Sequence, residues 1–100
     1  MTVTRTEVDH GTSYELRDDA GPRCTLGYST DPDGPAVWKI LLPGPGGTED
    51  LYGAEQFADP DAAQLKDWLS PFIGDDQATE LVDAVDADPP PTAGWQSRSA

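Results

Sequence analysis

One hundred residues carry nineteen acidic side chains against six basic ones, a net charge of -13. A field of that sign repels phosphate backbones and anionic lipid surfaces, which argues against direct nucleic-acid binding and membrane association and favours cations or a basic protein partner. The length suits one core, able to hide roughly two-thirds of the surface its unfolded chain exposes, and with Cys24 as the single cysteine no internal disulfide is available.

The chain opens on Met1-Thr2-Val3-Thr4-Arg5-Thr6-Glu7, where no apolar run follows the one positive charge, so a signal peptide is not expected. No window approaches the ~18 apolar residues of a membrane span, and a cytoplasmic location is the expectation. Residues 2–9 suit a strand, but Val3 and Val8 fall on opposite faces, which predicts an edge. His10-Gly11 offers a tight turn. Residues 12–18 then alternate, Tyr14 and Leu16 facing in, and 23–30 repeat the pattern with Cys24, Leu26 and Tyr28 on one face. Between them Asp18-Asp19-Ala20-Gly21-Pro22 supplies a reversal.

Residues 36–42 form the most apolar window, closed by Asp31-Pro32-Asp33-Gly34-Pro35 before and Pro43-Gly44-Pro45-Gly46-Gly47 after. Trp38, Ile40 and Leu42 share one face of that predicted strand and Val37, Lys39 and Leu41 the other, so it is placed at the centre of the sheet. Short connections imply antiparallel neighbours and a meander. Residues 50–54 fit either a fifth strand or a segment lying across an edge.

From Asp59 the apolar period changes from two to 3.6. Asp59 suits an N-cap and Pro60 a first helical position, predicting a helix over 60–73 with Ala62, Leu65, Leu69, Phe72 and Ile73 on one side and Trp68 at the margin. Pro71 should bend the helix or end it at Ser70, its place on the solvent side making a bend the more tolerable outcome, and Gly74 stops it. Asp75 and Asp76 are expected to cap a second helix over 76–87 with Ala78, Leu81, Val82 and Val85 inward. Its reverse face gathers Asp76, Glu80 and Asp83 within an arc of roughly 60° at ~100° per residue. Residues 89–100 begin Pro89-Pro90-Pro91 and read as a flexible tail with one aromatic, Trp95.

The fold expected is thus α+β: an antiparallel meander of four or five strands over one domain, 1–88, with a C-terminal helix pair on one face. Chemistry is sparse. His10 and Cys24 make a nucleophilic pair conceivable, but one sits at a turn and the other on an inward strand face. Asp31-Pro32-Asp33-Gly34 starts like a calcium loop but lacks the third ligand before its glycine and the later Glu, so it reads as a turn. The glycines of 43–47 are followed by no Lys-Ser or Lys-Thr, which argues against a nucleotide site. No catalytic, cofactor or metal residue is assigned.

Candidate partner-binding residues are Asp76, Glu80, Asp83 and Trp95. The acidic stripe reads as a docking face, as a mimic of DNA phosphates, or as an ordinary solvated face; Trp95 reads as a linear motif, as a side chain folded back on the domain, or as a tolerated surface residue. Fourteen Asp, five Glu and no Asn also fit codon use in a GC-rich microbe or phage, or a salt-loaded cytoplasm. The expected function is a non-enzymatic inhibitor, immunity or adaptor type of protein engaging a more basic partner. The alternatives are a ligand-binding domain or enzyme with a pocket between sheet and helices, built on Tyr14, Tyr28, Trp38 or His10, and a self-associating assembly component.

Overall fold

The computed structural model describes residues 1–30, 36–57, 60–90 and 94–95. Five strands, β1 (Thr2–Val8), β2 (Gly11–Asp18), β3 (Gly21–Ser29), β4 (Val37–Pro43) and β5 (Glu49–Glu55), form one antiparallel sheet in the order of the chain. Two helices follow, α1 (Ala62–Ile73) and α2 (Asp75–Ala87). The meander and the helix pair are those the alternation and its change of period imply.

Register assigns the two faces of the sheet. Tyr14 lies opposite Leu26 and Leu26 opposite Ile40, while Thr12, Tyr28 and Trp38 form the next row and Leu16 faces Cys24. All of these are buried, and Leu65, Leu69, Leu81, Val82 and Val85 from the helices close over them. The other face, with Ser13, Glu15, Thr25, Lys39 and Leu41, is covered by neither α1 nor α2 and is only partly shielded. A sheet packed on one side and wet on the other requires this inside-outside alternation, and β2 and β3 display it along their length.

Three expectations need correction. The most apolar strand, β4, is interior but not central: three strands precede it in the sheet and one follows, so β3 holds the middle, and the pairing of residues 50–54 as part of β5 keeps β4 off the edge. The first helix starts at Ala62 rather than at Pro60. Asp61 caps it, its side-chain oxygen accepting from the Gln64 backbone N–H at 2.8 Å, and Asp59, the cap expected, lies outside the described residues. Asp75 and Asp76 are not caps: Gly74 occupies that position, and the two carboxylates sit in the first turn of α2, where the helix dipole favours negative charge. The end of α1 is as expected: the helix continues through Pro71 to Ile73 and stops at Gly74. Pro71 and Asp67, whose carbonyl a proline cannot serve, are both exposed, which puts the missing hydrogen bond on the solvent side of the helix.

Gly74 alone joins the helices. With φ at 84° it donates its N–H to the Ser70 carbonyl at 2.8 Å and accepts from Ala78 N–H at 3.0 Å, ending one helix and starting the next. A side chain is strained at that φ, and glycine is not. The reading of Asp31–Pro35 as a turn falls outside the described residues, as does most of the stretch beyond Pro90. No helix among the described residues is long and apolar enough to cross a membrane.

Candidate functional site

The second helix owes its acidic face to the same periodicity that buries its other side. Ala78, Leu81, Val82 and Val85 point into the core, which leaves Asp76, Glu80 and Asp83 exposed on the opposite side. Asp76 and Glu80 are spaced i,i+4 and Glu80 and Asp83 i,i+3, so neighbouring like charges weaken the helix by a few tenths of a kcal/mol per pair. Asp83 also lines a groove of about 260 Å³ between the helices, together with Lys66, Thr79 and Ala63.

Trp95 does not join that stripe. Its indole Nε1 donates to Asp86 Oδ1 at 3.0 Å and its ring lies 6.0 Å from that of Trp38, tilted by 53°. The half-buried side chain is therefore folded back on the domain. Pro90 before it is buried too, beside Thr12 and Tyr28 in a groove of about 200 Å³.

The groups with reactive chemistry lie apart. His10 is exposed in the turn between β1 and β2, with its carbonyl accepting from Thr30 N–H at 2.6 Å. Cys24 is buried five residues down β3 from Ser29, the partner of Gly11. Five strand residues span roughly 17 Å, so imidazole and thiol cannot meet. Burial pushes the Cys24 thiol up to about 11, and its Sγ approaches Gln77 Oε1 at 3.9 Å. A thiol so placed stays protonated at neutral pH and is a poor nucleophile.

Aromatic groups that might have lined a pocket between sheet and helices belong to the packing instead. Tyr14 and Trp38 are fully buried, and Tyr28 stacks at 4.8 Å on Trp38. Burial raises the Tyr14 pKa against the opposing pull of Arg5, so the hydroxyl remains a donor. No group of three or more His, Cys, Asp or Glu among the described residues is arranged to hold a metal ion.

Ion pairs among the described residues offset part of the charge. Arg5 pairs with Glu7 and Asp88, Arg17 with Glu15, and Arg23 with Asp18, whose pKa the Arg23 guanidinium lowers. Sequence reasoning overlooked a second acidic surface, on β5. There Glu49, Asp50 and Glu55 are exposed around Leu51 and Tyr52, themselves 58% and 56% exposed. Its signal was present: two large apolar residues bracketed by acids within a stretch that lacks any basic residue from Ile40 to Leu65.

Set against known protein families, curated proteins and solved structures, the chain matches none of them.

Proposed function

We propose that this domain is a non-enzymatic binding protein whose acidic surface engages a more basic partner protein, in the manner of an inhibitor, immunity protein or adaptor. What carries the reading is the unbalanced surface. Among the described residues Arg5, Arg17 and Arg23 are engaged in internal ion pairs, while carboxylates stand exposed on both α2 and β5. Such a surface accelerates encounter with an oppositely charged protein and discourages phosphate-bearing partners. The inert burial of Cys24 and the use of Tyr14 and Trp38 as core support a binding role over a catalytic one.

The test is affinity capture from a lysate of the source organism, washed at low and then moderate salt, with retained proteins identified by mass. Retention of a discrete basic protein that elutes as salt screens the attraction is the expected result. A bait that retains nothing above background at low salt, where attraction is unscreened, would overturn the reading.

A further inference from the structure

The sheet ends on two edges, β1 and β5, and they are chemically unequal. Along β1, Thr2, Thr4 and Thr6 alternate with Val3, Arg5 and Glu7, and the exposed large apolar groups, Met1 and Val8, lie only at its extremities. Its one cation is engaged, since Arg5 pairs with Glu7 and reaches the end of α2. In β5, by contrast, exposed Leu51 and Tyr52 occupy the middle of the strand. An edge offers outward N–H and C=O groups as a template for another strand, and large side chains beside them add apolar area to any pairing.

The register of β5 against β4 skips one residue: Leu41 faces Leu51 and Ile40 faces Gly53, leaving Tyr52 as the bulged position. Two short runs of backbone therefore flank the Tyr52 ring, Glu49 to Leu51 and Gly53 to Glu55. On the helix side Gly53 lies against Phe72, whose ring would come within 2.8 Å of an added Cβ, so α1 supports this part of the edge from behind.

Charge selects what can lie there. Five acidic residues and no basic one fall between Ile40 and Leu65, three of them in β5. A second copy laid antiparallel along β5 would bring the Glu49, Asp50 and Glu55 of one chain beside those of the other, between molecules that each carry -13. Like charges directly opposite in a sheet repel, whereas lysine or arginine at the same positions would attract.

From the apolar pair and its acidic surround we infer that the β5 edge is the docking strand for an extended, basic segment of the partner protein, which adds beside β5 as a sixth strand. Its apolar side chains cover Leu51 and Tyr52 on the open face of the sheet, and its cations, on the alternate face, meet Asp50 and Glu55. The inference rests on the basic-partner reading above and assigns the contact to the sheet edge, leaving the α2 face to long-range attraction.

Amide proton–nitrogen correlation spectra of the full chain, recorded at low salt, test it with two synthetic peptides of equal charge. One is Ac-Lys-Val-Lys-Val-Lys-Val-Lys-NH2; the other replaces each Val by Gly and so lacks apolar side chains and strand propensity. The expected result is a set of shifts confined to 49–55 and their β4 neighbours, with roughly tenfold tighter binding of the valine peptide. Leu51→Ser with Tyr52→Ser leaves the charge unchanged and, both sites being exposed, leaves the fold intact; it should remove that preference. Equal response to both peptides, or an unaltered preference in the double variant, would overturn the inference. So would dimers in sedimentation that the double variant dissolves, which would make the occupant a second copy. Shifts at 76–83 instead would sink the edge assignment but leave the basic-partner reading standing. Silence toward both peptides would reject the edge, and the capture experiment separately decides the broader reading.

Discussion

The Tyr14 hydroxyl donates a 2.6 Å hydrogen bond to the carbonyl oxygen of Asp88, fastening the interior of the sheet to the residue that closes α2. Arg5 serves the same acceptor through Nε at 3.1 Å and reaches the Pro89 carbonyl at 3.4 Å. A helix ends with carbonyls that have no partner inside it and with partial negative charge, and here a phenol and a guanidinium supply both donors and compensation.

Tyr14→Phe should therefore destabilise the domain by about 1 to 2 kcal/mol, read from the urea midpoint at constant slope. Arg5→Gln weakens the same acceptor from the other side. Combined, the two substitutions are expected to cost more than their sum by roughly 0.5 to 1 kcal/mol, since each donor alone still serves the carbonyl. Strict additivity would show that the shared acceptor does not matter.

Trp95→Ala removes the indole from its place beside Trp38 and from Asp86. A loss of about 1 to 2 kcal/mol is expected for the half-buried ring and its hydrogen bond. The fluorescence of Trp38 should change with it. Unchanged stability and an unchanged Trp38 environment would mean that Trp95 is not held against the domain.

Gly11→Ala and Gly27→Ala make an informative pair. A Cβ on Gly11 would run into the Tyr28 carbonyl oxygen, a backbone atom that cannot step aside, whereas nothing lies within 4 Å of one on Gly27. The first substitution should cost more than about 3 kcal/mol or prevent folding, and the second less than about 1 kcal/mol in either direction. Thermal melting of both variants distinguishes these outcomes.

Alkaline pH should loosen the fold through Cys24. Its folded pKa, pushed up to about 11 from an ordinary 9.0 by burial, means that the native state favours the neutral thiol. That contribution is whole below pH 9, since neither state ionises there, and is lost as pH rises toward 11. Its size is on the order of 2 kcal/mol. Tyr14, whose pKa burial also raises, adds to the loss in the same direction as pH climbs past the ordinary phenol range. Cys24→Ala should flatten the stability profile between pH 9 and 10; an unaltered slope would show that the thiol is not the cause.

Much of this architecture is written in short-range pattern. Tyr14 and Leu16, then Cys24, Leu26 and Tyr28, recur at a spacing of two, and Leu65, Leu69, Leu81, Val82 and Val85 at helical spacing; all are buried as those periods require. Such patterns are legible because one face of each element must leave water, whatever it packs against. The exposure of Asp76, Glu80 and Asp83 follows from the same rule. The choice between Asp59 and Asp61 as cap was nearly within reach, because Gln64 stands three residues after Asp61, the spacing of a capping pair.

Other features depend on what is distant in the chain. Whether 50–54 pair as a strand turns on β4 being available beside them, and that pairing makes β4 an interior strand rather than an edge. The exposed pair Leu51 and Tyr52 became a surface only because β5 has no sheet neighbour beyond it. The Tyr14 to Asp88 bond joins groups 74 residues apart, and the docking of Trp95 on Trp38 likewise crosses most of the chain. Periodicity fixes which face of an element is buried; the choice of partner across that face is made by three-dimensional packing among groups that no local pattern relates.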